Sequence, residues 1–206
     1  MLDLDRFVAA PLVRDPFDHL ILHGFLHPPA LAAVLPDFPD VAAPGLFPVS
    51  ALARRGAFAR LVDAIRDPAL GRAFGEKFGL SLAGRPLLIT VRGLCHPRDG
   101  SVHTDSRSKL VSALLYLNDG WEESGGRLRL LRSGNIDDVA AEVPPEAGTL
   151  VVFRRSERSF HGHLPFAGAR RYIMLNWLTG LASATRETAR HRLSAGVKHL
   201  ASRLLP

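Results

Sequence analysis

Between Gly84 and Gly180 the chain breaks into short apolar runs, each closed by turn chemistry, and this interruption constrains the fold more than any other feature. The runs are PLLITVRGL (86–94), SVHTD (101–105), KLVSALLYLN (109–118), RLRLL (127–131), VAAEV (139–143), TLVVF (149–153) and ARRYIMLNWL (169–178). Between them stand a Pro/Asp/Gly loop, Asp119–Gly120, the pair Gly125–Gly126 and PPEAG (144–148). Short strands at this spacing predict an all-β sandwich or barrel. Nothing alternates strand with helix as a parallel βαβ sheet would require.

The flanks read differently. Residues 19–26 (HLILHGFL) predict a short strand, and Pro28–Pro29 opens a helical ALAAVL that Pro36 stops. The Pro-rich stretch 37–50 predicts loop. Phe58, Leu61, Val62 and Ile65 fall at helical spacing, Asp67–Pro68 marks a break, and Leu70, Phe74 and Phe78 continue the buried face. Residues 182–204 return to helical spacing. The expectation is a single domain over 1–206: N-terminal strand and helices 1–84, a β core 85–180, and a basic C-terminal helix 181–206.

A chain of 206 residues with 47% hydrophobic side chains has the make-up of a globular domain. Of the net charge of +6, most sits in 181–206, where Arg186, Arg190, Arg192, Lys198 and Arg203 face only Glu187. Such a tail can meet nucleic acid, anionic lipid or an acidic substrate. No aromatic residues are interleaved to stack on bases, so a solvated helix face is the preferred reading and nucleic acid is not expected. The lone cysteine, Cys95, excludes a disulfide within the chain and points to a cytoplasmic location. No signal peptide is visible, and no apolar run reaches the ~18 residues of a membrane span.

In a strand, residues i and i+2 share a face, so His103 and Asp105 of VHTDS point together. An imidazole nitrogen and a carboxylate oxygen side by side supply two ligands for a divalent metal. His161 or His163 in FHGH supplies a third, and two histidines with one carboxylate leave positions open for reaction, the pattern of non-haem Fe(II) oxygenases. A bidentate 2-oxo acid fits those open positions. A far carboxylate on that acid needs a cation, and the planar fork of arginine suits it. Arg171 is the anchor candidate. Alternation along ARRYIMLNW puts Arg171, Ile173 and Leu175 on one face and Arg170, Tyr172 and Met174 on the other, with Arg170 read as the surface residue.

The ordered series HTDS, ALLYLN, GGRLRLL, PPEAGTLVVF, SERSFHG and RRYIMLNW resembles the 2-oxoglutarate/Fe(II) oxygenases, and within them the prolyl-hydroxylase-like branch. The resemblance covers residues 86–178. It implies a double-stranded β-helix, or jelly-roll, cupin-like core with flanking helices, and a dioxygenase that hydroxylates a C–H bond with release of succinate and CO2. It implies Fe(II) held by His103, Asp105 and His161, with 2-oxoglutarate and O2 as co-substrates and ascorbate as an accessory reductant. It implies that Arg171 binds the distal carboxylate of 2-oxoglutarate, with Tyr116 as a second partner or an ordinary core aromatic. His163 becomes a pocket-wall residue. Asn176 and Trp177 are expected to wall the cavity, Trp177 serving equally well as core.

The sequence departs from the family where many relatives carry a tyrosine before the HxD motif. VRGLCHPRDG has none, and Arg92, Cys95 or His96 takes that place. An alternative of another class is a non-catalytic jelly-roll module that senses a metal or a 2-oxo acid. The substrate is unidentified. Arginines 92, 98, 107, 154, 155 and 158 hint at an anionic one, and surface solvation explains them equally well. No oligomeric state is legible.

Overall fold

In the computed structural model, which describes residues 1–189, the apolar runs of the second half pair as antiparallel strands. The strands are β1 (His19–Leu22), β2 (Phe47–Pro48), β3 (Leu87–Cys95), β4 (Lys109–Tyr116), β5 (Leu128–Leu131), β6 (Val139–Val143), β7 (Leu150–Arg154), β8 (His161–Gly162) and β9 (Gly168–Leu178). Six of them form one sheet in the order β1-β7-β4-β9-β3-β2, and three form a second in the order β6-β5-β8. The helices are α1 (Leu4–Ala9), α2 (Pro28–Val34), α3 (Gly56–Arg66) and α4 (Pro68–Phe78). The two sheets face each other as the expected jelly roll.

Period-two alternation divides the large sheet into two unlike faces. Ile89 and Val91 of β3, Val111, Ala113 and Leu115 of β4, and Ile173, Leu175 and Trp177 of β9 are buried in one cluster with Phe58, Leu61 and Ile65 of α3 and Leu70 and Phe74 of α4. Phe74 sits between Phe7 and Trp177, with ring centroids 4.5 and 5.0 Å away. The alternate residues Leu114, Tyr116, Val151, Phe153 and Tyr172 meet Leu128, Leu130 and Val143 of the small sheet. This second cluster is smaller, and the space it leaves between the sheets is the cavity described below.

Asp67 breaks the helical run as expected: its side chain accepts from the Ala69 N–H at 2.8 Å and caps α4. Other details differ from the sequence reading. SVHTD is not a strand, and only His103 bridges to His161. Strand β1 ends at Leu22, because the chain turns at Gly24 with φ +69°. Helix α1 and strand β2 are too short to carry a periodic signal. Of the basic C-terminal segment, residues 181–189 are helical and the remainder lies outside the described residues. No described helix is long and apolar enough to cross a membrane.

Candidate active site

The segment 100–105 reaches the site by lying against β8. His103 and His161 exchange both backbone hydrogen bonds, at 3.1 and 3.0 Å. That approach requires glycine at 162, since a Cβ there would stand 2.7 Å from the Gly100 carbonyl oxygen. Side-chain atoms of His103, Asp105 and His161 consequently lie within 4.8 Å of one another. Each histidine donates its Nδ1–H to a carbonyl two residues back, His103 to Ser101 at 2.8 Å and His161 to Ser159 at 2.9 Å. These bonds fix the tautomer and leave both Nε2 lone pairs for a cation.

Asp105 is buried and fully engaged. Lys109 Nζ donates to Oδ1 at 2.5 Å, Ser112 donates to Oδ2, and Arg155 Nε donates to the backbone carbonyl at 3.0 Å. Asn176 Nδ2 donates to Ser112 Oγ at 2.8 Å, so the serine proton is directed to the carboxylate. Burial opposes ionisation of Asp105, but the Lys109 ammonium, then His161, and the two side-chain hydrogen bonds outweigh it and hold the carboxyl at about 2. Two imidazoles and one ionised carboxylate make a donor set that fits Fe(II).

Burial lowers His161 to about 4 against the pull of Asp105, and His103 adds to the lowering. Burial also lowers His163 to about 4, helped by Arg170. Both imidazoles are neutral in the fold and take up protons on unfolding between about pH 6.5 and pH 4. The metal-free protein is therefore expected to lose stability as pH falls through that window, on the order of 1 kcal/mol per pH unit for each histidine. Urea midpoints that stay constant from pH 7 to pH 5 would contradict this.

The three ligands open onto a cavity of about 400 Å³ between the sheets. Its walls include Arg92, Leu114, Phe153, Arg170, Tyr172 and Met174. Arg170 is 2% exposed, donates from Nε to the Gly126 carbonyl at 2.7 Å and from Nη2 to Tyr116 Oη at 3.3 Å, and makes no ion pair among the described residues. Tyr116 lies behind it, its hydroxyl pushed up to about 12 by burial and kept protonated. The cavity thus holds a triad of metal donors and a buried guanidinium without a counter-charge, which calls for an anion.

Residues 94–179 match the family model described as the 2OG-Fe(II) oxygenase superfamily. Over that stretch the chain resembles the superfamily. The oxygenase is similar to a prolyl-4-hydroxylase from Pseudomonas putida, with 26% identity, 86% of this chain and 90% of that chain covered, and a TM-score of 0.52. It shares its fold with the prolyl hydroxylase of Trichoplax adhaerens solved with a hypoxia inducible factor peptide fragment (17% identity, 91% and 90% covered, TM-score 0.56). It shares it too with the viral collagen prolyl hydroxylase of Paramecium Bursaria Chlorella virus-1 solved with 2OG (14% identity, 82% and 99% covered, TM-score 0.53). No curated protein matches the sequence. The protein is a 2-oxoglutarate-dependent hydroxylase that resembles the prolyl-hydroxylase-like branch, and that family uses Fe(II), 2-oxoglutarate and O2.

One expectation is corrected. Arg171 does not reach the cavity; it is exposed on the opposite face of β9, its guanidinium 5.8 Å from the Phe38 ring. It shares that face with Ile173, Leu175 and Trp177, which pack on the helices. The facing residue is Arg170. At this point two residues of β9, Arg170 and Arg171, oppose the single Gly93 of β3, and the register shifts. Trp177 likewise lies in the helix-side core, whereas Asn176 supports Asp105 through Ser112. Of the segment 92–100, Arg92 lines the cavity, Cys95 is buried beside His163 with Sγ 3.9 Å from Nε2, and His96 is exposed.

Sequence reasoning passed over Ser112 and Lys109. Ser112→Ala is expected to weaken Mn(II) binding roughly tenfold, because it frees Oδ2 and strands the Asn176 amide. Calorimetric titration checks this, and an unchanged Kd would show that the serine does not orient Asp105.

Proposed function

We propose that His103, Asp105 and His161 hold Fe(II), that Arg170 binds the distal carboxylate of 2-oxoglutarate, and that the enzyme hydroxylates a substrate C–H bond with release of succinate and CO2. One observation carries the reading: three metal donors within 4.8 Å share a cavity with a buried guanidinium that has no counter-anion among the described residues. Fe(II), when bound, activates O2 at the expense of 2-oxoglutarate. The rest is done by this chain.

The Nδ1–H bonds of His103 and His161 aim the two imidazoles, and Ser112 with Lys109 fixes the carboxylate face. Arg170, tied to Gly126 and Tyr116, offers its remaining N–H groups to a carboxylate. Tyr116 is then a positioning residue for Arg170, in keeping with its place behind the cavity wall. Leu114, Phe153 and Met174 supply apolar walls that exclude water from the reacting centre.

The test is succinate formation from 2-oxoglutarate by anaerobically Fe(II)-loaded protein on admission of air. Wild type is expected to form succinate without added substrate at a slow uncoupled rate, and His103→Ala to fall at least about a hundredfold below it. A His103→Ala variant with full turnover would refute the triad. Loading with no succinate under any condition would refute catalysis.

A further inference from the structure

We infer that Arg92 binds a carboxylate on the primary substrate, so that the oxygenase acts on a small organic acid. This rests on the preceding assignment of Arg170 to 2-oxoglutarate.

The cavity presents two guanidiniums, one on each of two neighbouring strands. Arg92 of β3 pairs in register with Tyr172 of β9, and Arg170 precedes Tyr172 by two residues on the same face. Their Cζ atoms lie 5.8 and 5.1 Å from the Tyr172 ring centroid, so both guanidiniums stand beside one ring on the cavity wall. The surroundings of the two differ. Arg170 has no carboxylate partner among the described residues and takes the co-substrate. Arg92 is held by an ion pair from Nη1 to Asp99, whose Oδ2 also accepts the His96 N–H at 2.8 Å. The loop 96–99 thereby sets the guanidinium plane. Nε of the same fork is buried and has no hydrogen-bond partner among the described residues.

A buried N–H left unsatisfied is a standing cost, and a ligand acceptor removes it. A carboxylate suits a fork whose orientation is already fixed, because little order is lost on binding. In this assignment the 2-oxo acid end of 2-oxoglutarate chelates metal and its distal end occupies Arg170, and the acid at Arg92 comes from a second molecule. A cavity of about 400 Å³ lies at the small-molecule end of binding sites, and 2-oxoglutarate already takes part of it.

The test is binding to the full chain saturated with Mn(II) and 2-oxoglutarate, which form an unreactive complex. Calorimetry is run on matched pairs: butanoate through octanoate, benzoate, phenylacetate and L-proline, each against its primary amide. At least one acid is expected to bind about tenfold or more tighter than its amide. Arg92→Gln is expected to bring that ratio to about one while the Kd for 2-oxoglutarate changes less than about threefold. Arg92→Lys keeps charge without the fork, so an intermediate ratio is expected and guards against a misfolded glutamine variant.

The inference is overturned if no acid outbinds its amide, or if the ratio survives in Arg92→Gln. It is overturned also if Arg92→Gln loses 2-oxoglutarate affinity as Arg170→Gln does, which would place both arginines on the co-substrate. Failure of Mn(II) and 2-oxoglutarate to bind wild type would instead remove the oxygenase-site reading beneath it.

Discussion

Arg170→Gln is expected to weaken 2-oxoglutarate binding by about two orders of magnitude, whereas Arg171→Gln is expected to change it less than about twofold. The adjacent arginines differ in what surrounds them. Arg170 is enclosed, is held by a carbonyl and a phenol, and has no counter-charge among the described residues. Breaking a buried charge-assisted contact costs a few kcal/mol, which is a factor of about 10² or more in Kd. Arg171 is exposed and faces Phe38 on the far side of the sheet.

The same burial makes a second, opposite effect. Without ligand, Arg170 is an uncompensated charge between two sheets, so Arg170→Met should raise the melting temperature of the ligand-free protein. It should also abolish the further rise that 2-oxoglutarate gives wild type. Scanning calorimetry with and without 2-oxoglutarate reads both. A variant less stable without ligand, yet still stabilised by 2-oxoglutarate, would contradict the anchor assignment.

The second large effect falls on Asp105. Asp105→Asn retains the shape but removes the charge that both a metal and Lys109 require. Mn(II) affinity is expected to fall at least about a hundredfold. Stability should fall as well, by on the order of 3 kcal/mol, because the Lys109 ammonium, with a side chain only 12% exposed, loses its anion. The double variant Asp105→Asn/Lys109→Met should recover much of the stability and none of the metal binding. A double variant no more stable than the single would mean that the Lys109 contact contributes little.

Much of this fold is legible in the sequence because strands declare themselves locally. KLVSALLYLN is an apolar run closed by Asp119–Gly120, TLVVF is one opened by PPEAG, and they become β4 and β7. The ligand residues are legible for a different reason: His, x, Asp with a later histidine is a rare combination of chemistry, and order with spacing lent it the family resemblance. What placed them together was not a strand. SVHTD meets β8 through a single bridge, made possible by glycine at 162 against the Gly100 carbonyl.

The arginine choice shows where sequence reading stops. Alternation along β9 divides Arg170 from Arg171, but the cavity lies on the Arg170 face and not on the expected Arg171 face. A usable signal existed. Ile173, Leu175 and Trp177 are the residues a helix layer buries, whereas Tyr172, Met174 and Asn176 carry polar or pliable ends suited to a cavity, and Arg170 travels with them. The roles of Ser112, Lys109 and Asn176 had no such signal. They act on Asp105 across strand pairings that only the folded sheet defines.

The central claim is that one metal and one 2-oxo acid meet on His103, Asp105, His161 and Arg170. The most direct measurement is an anaerobic titration of the Fe(II) protein with 2-oxoglutarate, following the visible absorption of the Fe(II)–2-oxo acid chelate. The account predicts one chelate per chain, lost in His103→Ala and Asp105→Ala, and shifted to about a hundredfold higher 2-oxoglutarate in Arg170→Gln but not in Arg171→Gln. A chelate that forms normally without His103 or Asp105, or that depends on Arg171 rather than Arg170, would contradict it.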